Sequence, residues 1–139
     1  MASSPSPIIL PPNRLLSLLT NDVRQQMLPM LHQVTLKTGE FLAQANQPVS
    51  TVYFPLSFVA SSIKTMKDGV TIEVATVGNE GFIGMPLLLG SESETIDTIV
   101  QVDGEALSMS AKDFSQTLAD GSSGLRSILL RYAQAASAR

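Results

Sequence analysis

The chain has no cysteine, a single histidine, and no lysine or arginine anywhere from Gly69 to Ala111. Each gap removes a class of chemistry. Without cysteine there are no disulfides, no thiolate-held metals and no cysteine-ligated iron–sulfur clusters. His32 has no second histidine to join it in a metal or haem site, and it reads as a strand-edge residue. The cation gap lies inside a longer acidic stretch: from Asp68 to Asp120 there are ten acidic residues and one basic one, Lys112. A domain that grips nucleic acid by itself presents a basic face. With a net charge of −3, direct DNA contact by this chain is not expected. Long apolar runs are missing too, and none approaches the roughly 20 residues of a spanning helix. The start, Met1 to Pro7, has no positive region ahead of its short apolar run, which argues against a signal peptide. The expectation is a soluble, cytoplasmic protein with no membrane contact.

Catalytic groupings are lacking as well. Ser91 and Ser93 have no base beside them in the sequence. The carboxylates Glu92, Glu94 and Asp97 read as a solvated loop and strand edge rather than a cation site. No enzyme, no metal and no cofactor is expected.

What is present is one domain's worth of core. The chain has 139 residues, 44% of them hydrophobic and only 15% charged, long enough to bury a real core. Mean hydropathy is +0.21. That is apolar for a single domain and suggests surface covered by a partner or by a missing segment.

Residues 1–12 are Ser/Pro-rich and read as a flexible tail. Asn13 caps a helix from Arg14, with Leu15, Leu16, Leu18 and Leu19 on its apolar side. A second short helix is expected from Asp22, as cap, through Met27, with Pro29 a poor fit to a helix interior. From His32 the period changes to that of strands. Val34 and Leu36 alternate with polar residues, Lys37 to Glu40 turns, Phe41 and Leu42 open a short strand, and Val49 to Phe54 is extended up to Pro55. Phe58–Met66 and Val70–Val77 are joined through Lys67-Asp68-Gly69, an Asp-Gly hairpin signal. In the second of these, Val70, Ile72 and Val74 share one face. Strands then run over Thr95–Val102 and, after an Asp103-Gly104 turn, through Ala106, Leu107 and Met109. Ser110 caps a helix over Ala111–Leu118, and after Gly121 to Gly124 a last helix carries Leu125, Ile128, Leu129, Tyr132 and Ala136 on one face. Many short strands between helices imply a mainly β fold with flanking helices, a β-roll or jelly roll.

Four segments resemble the cyclic-nucleotide-binding domain. Leu36-Lys37-Thr38-Gly39-Glu40-Phe41-Leu42 resembles its opening turn, and Val52-Tyr53-Phe54-Pro55-Leu56 the strand that follows. Glu73 to Gly84 is similar to the strand and turn leading into the phosphate-binding cassette, and Asp103-Gly104-Glu105-Ala106-Leu107 to the last strands. Their order resembles the effector domain of CRP/FNR-type transcription regulators from about residue 13 onward. The resemblance implies a double-stranded β-helix over 13–120, then the start of a dimerisation helix over 121–139. It also implies a homodimer through Leu125, Ile128, Leu129, Tyr132 and Ala136, a face expected to be split between the roll and the partner, and a small-molecule effector. DNA would be contacted only through a further domain, which the chain lacks. The stop at Arg139 suggests an excised effector domain, with a naturally short homologue as the alternative.

The resemblance places the ligand cradle at Gly81, Phe82, Ile83, Gly84, Met85, Pro86, Leu87, Thr95 and Thr98. Here the chain departs from the family. Members that bind cyclic nucleotides carry a glutamate after the glycine matching Gly84, for the ribose hydroxyl, and an arginine at the end of the cassette, for the phosphate. This chain has Met85 and the run Thr95-Ile96-Asp97-Thr98. A charged hydrogen bond contributes on the order of 1.5–3 kcal/mol, and each 1.4 kcal/mol is about tenfold in affinity. Two such losses, beside Glu94 and Asp97, make a degenerate cassette that does not bind cAMP or cGMP in the usual way. Two readings stay open: Met85 to Leu89 plug the roll, or they line a pocket for a less polar effector. A stand-alone interaction module that senses nothing is the rival function.

Overall fold

The computed structural model describes residues 13–91 and 96–137. The expected tail over 1–12, and Glu92, Ser93, Glu94, Thr95 and Arg139, lie outside them. Two antiparallel sheets are built from seven strands: β1 (His32–Leu36), β2 (Phe41–Ala43), β3 (Thr51–Pro55), β4 (Val59–Thr65), β5 (Thr71–Val77), β6 (Asp97–Val102) and β7 (Gly104–Ser110). One sheet has the order β1-β7-β3 and the other β2-β6-β4-β5. The helices are α1 (Arg14–Ser17), α2 (Asn21–Met27), α3 (Met85–Leu88), α4 (Ala111–Ala119) and α5 (Leu125–Ser137), with short 3-10 turns at Leu28–Met30 and Gly121–Ser123. This is the expected mainly β roll with flanking helices. Among the described residues no helix is long and apolar enough to cross a membrane.

Two cores share one wall. The interior of the roll gathers Leu36, Phe58, Ala60, Val77, Ile83, Val100 and Ala106. The second core lies between the first sheet and the helices, and holds Leu15, Leu16, Met27, Val52, Phe54, Phe82, Met109, Phe114, Leu125 and Leu129, among others. Strand alternation makes this possible, because successive side chains point to opposite faces. On β3, Val52 and Phe54 face the helices while Tyr53 packs against the roll interior. On β7, Leu107 and Met109 go to the helical side and Ala106 to the roll.

Local chemistry sets the helix starts. Asn13 caps α1, its side-chain oxygen accepting from the N–H groups of Leu15 and Leu16. Ser110 caps α4 through Asp113 N–H. The cap of α2 is Thr20 rather than Asp22: Thr20 is extended at φ −64°, ψ 157° and accepts from Val23 N–H, so Asp22 falls inside the first turn. An acidic residue there is favoured by the helix dipole, which is why Asp22 reads as a cap in the sequence.

Of the strand expectations, the turn at Gly104 is corrected and the stop at Pro55 is met. Gly104 belongs to β7 instead of a turn, and opposes Leu36. Pro55 is the last residue of β3, opposite Ala106, so the ladder does stop there. The Val70, Ile72 and Val74 face is not a core face: these residues are 54%, 46% and 51% exposed. β5 is the edge strand of its sheet and exposed from Thr71 to Thr76, and a bulge between Ser62 and Ile63 skips Val74 in the pairing.

Candidate functional site

The segment matching the cassette is a wall between the two cores. It opens with a turn in which Gly81 N–H donates to Gly78 O at 3.1 Å, and Glu80 Oε1 accepts from Gly78 N–H at 3.1 Å. Phe82 and Ile83 then point to opposite sides. Phe82 enters the helical core, stacked on Phe54 with centroids 6.1 Å apart, tilted against Phe114 at 6.0 Å and met edge-on by Tyr132 at 5.8 Å. Ile83 enters the roll interior. Its backbone is stitched to β3 by a two-bond bridge: Ile83 N–H donates to Tyr53 O at 2.8 Å, and Tyr53 N–H to Ile83 O at 2.9 Å.

Gly84 follows at φ 146°, a conformation favouring glycine, and a β-carbon there would stand 2.8 Å from Val52 Cγ2. The reversal lets α3 begin at Met85. Pro86, without an N–H, occupies the first turn, while Leu87 N–H is returned to Gly84 O at 3.1 Å and Leu89 N–H to Met85 O at 3.1 Å. Met85 and Leu87 are half-buried against the helical core, and Leu88 is fully within it. The cassette therefore has four amides, at Gly81, Ile83, Leu87 and Leu89, satisfied by its own backbone or by β3.

A phosphate cradle needs donors left open toward the ligand. Here no lysine or arginine lies between Gly69 and Ala111 to meet such an anion.

Thr98 is buried, on the inner side of β6 with Val100, and its hydroxyl meets that of Ser62 on β4 at 3.3 Å. Asp97 does not sit in the cradle: its Oδ1 accepts from Ala45 N–H at 2.8 Å, bracing the end of β2. Thr95 lies outside the described residues. Burial raises the Tyr53 hydroxyl above its ordinary pKa, helped by the Glu40 carboxylate and opposed by a hydrogen bond with Thr51. Among the described residues no cluster of His, Asp or Glu forms a metal site.

Two residues tie this wall to the helices in ways sequence reading missed. Asn13 is 98% buried, and beyond capping α1 its Nδ2 donates to Pro55 O at 3.0 Å and to Gly81 O at 2.9 Å. An Asn ahead of a leucine-rich helix signals a cap, but its partners lie 42 and 68 residues away and leave no local pattern. Tyr132, read in the sequence as part of an apolar stripe, has its ring end against Gly81. The stripe itself turns inward: Leu125 and Leu129 are fully buried in the chain's own helical core, Ile128 and Tyr132 are half-buried against it, and Ala136 is exposed.

A two-sheet roll capped by helices, with a glycine-framed turn and short helix between its strands, defines a β-roll of the cyclic-nucleotide-binding type. The cyclic nucleotide-binding domain family model matches residues 33–120, and the chain belongs to that family. No curated protein sequence matches it. Among solved structures it is similar to the regulatory subunit of a cAMP-independent protein kinase A from Trypanosoma cruzi bound to guanosine, with 16% identity, a TM-score of 0.74, and coverage of 88% of this chain and 42% of that one. It is also similar to the N-terminal domain of a transcriptional regulator from Streptomyces coelicolor, with 22% identity, a TM-score of 0.66, and coverage of 90% and 84%. A third is the sensor domain of the transcriptional regulator DNR from Pseudomonas aeruginosa, with 16% identity, a TM-score of 0.69, and coverage of 87% and 81%. The chain spans less than half the length of the trypanosome kinase subunits it matches, 44% and 42%. These relatives are regulatory domains rather than enzymes.

Proposed function

We propose that this chain is the effector-sensing and dimerisation domain of a CRP/FNR-type transcription regulator, and that its cassette does not take cAMP or cGMP in the usual way. The observation that carries the second half is the cassette itself. Met85 stands where a ribose-binding carboxylate belongs, the run through Thr98 holds no cation, and four cassette amides are bonded within the protein. An effector of this roll is therefore low in charge. The guanosine-bound trypanosome subunit supports that reading, since it pairs the same fold with an uncharged nucleoside. The signal runs through the cassette wall: a ligand displacing Ile83 moves Phe82, and Phe82 touches Tyr132 on α5. A homodimer through α5 turns that movement into a change of spacing between DNA readers on a separate domain.

The rival is a stand-alone interaction module with no ligand. It is favoured by the packing of Ile83, which is 6% exposed and sits in the roll interior with Leu36, Phe58, Val77 and Val100.

The test is a thermal-shift comparison with cAMP, cGMP and guanosine at millimolar concentration, on this chain and on a Met85→Glu, Thr95→Arg double variant. A ligand that binds only the folded state must raise the midpoint. The expected result is no shift with either cyclic nucleotide in the parent chain and a shift in the variant. A shift with cAMP or cGMP in the parent would overturn the degenerate-cassette reading. No shift with any ligand in either protein would favour the ligand-free module.

A further inference from the structure

We propose that the open edge of β5 pairs with the same edge of a second copy of this chain, antiparallel about a two-fold axis at Ile72. An edge strand presents unpaired backbone groups that template another strand, and folded proteins blunt such edges. The other sheet edges here are blunted. β2 is three residues long. β3 carries the Ile83 bridge on its outer side. β1 exposes His32, Gln33 and Thr35, which offer no apolar face. β5 differs from all three. It is seven residues long, exposed at Thr71 to Thr76, and free of lysine and proline. Its exposed Val70, Ile72 and Val74 are β-branched residues that suit a sheet, and Met66 extends the apolar strip onto β4's end of the hairpin.

The backbone fixes which register a second copy can use. Met66 N–H donates to Val70 O at 2.8 Å, and Lys64 lies opposite Ile72. Opposed residues in an antiparallel pair alternate between bonded and non-bonded. Ile72 therefore turns its N–H and C=O toward β4, and Thr71 and Glu73 turn theirs to the open edge. Two copies related by a two-fold axis can then centre on residue 71, 72 or 73. Centring on Thr71 runs the overlap off the strand into the Asp68-Gly69 turn. Centring on Glu73 sets two carboxylates directly opposite, which is destabilising. Centring on Ile72 pairs each Thr71 with the partner's Glu73 through their outward backbone groups. It also sets Ile72 on the partner's Ile72 and brings Val70 toward the partner's Val74. An isologous contact needs this self-complementarity: residue i meets j while j meets i. The bulge at Val74 ends the regular stretch there, so the pairing is confined to Val70–Val74.

This contact is separate from the one proposed for α5, so it is tested in an Ala136→Glu background, where α5 association is weakened. The absence of cysteine allows single-cysteine variants. Opposed non-bonded residues have Cα atoms about 4.5 Å apart, within the span of a disulfide. In the Ile72 register, two copies of Val74 lie four residues apart, about 13 Å. Ile72 and Val74 are similarly exposed, at 46% and 51%. Under mild oxidation Ile72→Cys should form disulfide-linked dimers at least about tenfold faster than Val74→Cys, because only the former pair is within disulfide reach. Equal rates, or a faster reaction at residue 74, would overturn the proposal. Independently, Ile72→Lys sets like charges opposite each other across the axis. Sedimentation across a concentration series should show weaker self-association for Ile72→Lys than for its background, with the single chain's denaturant midpoint unchanged. Unchanged association, or a background that stays monomeric throughout, would also overturn it.

Discussion

Tyr132 on α5 closes over Gly81 in the cassette turn so tightly that a β-carbon at residue 81 would run into the phenol ring. Asn13 holds the other side of that glycine through its carbonyl, at 2.9 Å. The first turn of the cassette is thus clamped between the cap of the N-terminal helix and the C-terminal helix.

The clamp predicts an interaction between substitutions. Gly81→Ala alone should destabilise by about 1–3 kcal/mol, the range for overpacking a filled site. In a Tyr132→Ala background the added methyl finds space, and the second loss should be much smaller. Chemical denaturation of the four proteins in the cycle measures this coupling, and simple additivity would show that the two residues do not press on one another.

Asn13 should be intolerant even of its nearest analogue. Asn13→Ala removes a helix cap, at about 1 kcal/mol, and strands two buried carbonyl oxygens, each costing about 1–3 kcal/mol. Asn13→Asp keeps the cap acceptor but replaces the donor with an oxygen facing Pro55 O and Gly81 O. It should therefore be no better than alanine near neutral pH. Equilibrium unfolding that ranks aspartate close to the parent would show that the two long-range bonds matter little.

The two ends of the α5 stripe should respond differently. Leu129 is fully buried in the chain's own core, so Leu129→Ala should cost about 2–5 kcal/mol at every protein concentration. Ala136 is exposed and extends the same stripe beyond the body. Ala136→Glu should leave the unfolding of the single chain unchanged while weakening self-association. Sedimentation across a concentration series, run beside denaturant melts, separates the two effects.

Acid should loosen the junction of two turns. Asp103 Oδ1 accepts from the hydroxyl and the N–H of Thr38, at 2.6 and 2.7 Å. The Thr38 hydroxyl hydrogen bond, followed by the Thr38 backbone bond, lowers the Asp103 pKa below its ordinary value, with smaller help from Lys37. A depressed folded-state value means the contribution is present above the unfolded value of about 3.9 and is lost as pH falls through the folded one. Asp103→Ala should therefore melt earlier than the parent at neutral pH, with the gap closing below about pH 4. A gap that persists into strong acid would exclude the carboxylate as its source.

The order of strands and helices was legible from Asn13 to Ala136 because it rests on local rules. Alternation marks β3 and β7, Asp68-Gly69 marks the hairpin, and the side chains of Asn13 and Ser110 reach only as far as their own helices to act as caps. The resemblance to the cyclic-nucleotide-binding domain was also readable, since the motifs that carry it are written residue by residue. Three things were decided only by the tertiary structure. Periodicity shows that Leu125, Leu129 and Tyr132 share a face, yet not whether that face meets another chain or the body behind it, and it meets the body. Alternation places Val70, Ile72 and Val74 together, yet burial depends on whether anything is stacked above them, and on this edge strand all three are left exposed. The clamp on Gly81 joins residues 13, 81 and 132, which no window of sequence contains. Local propensity and chemistry travel with the chain, whereas burial and long-range hydrogen bonds exist only once distant segments have been brought together.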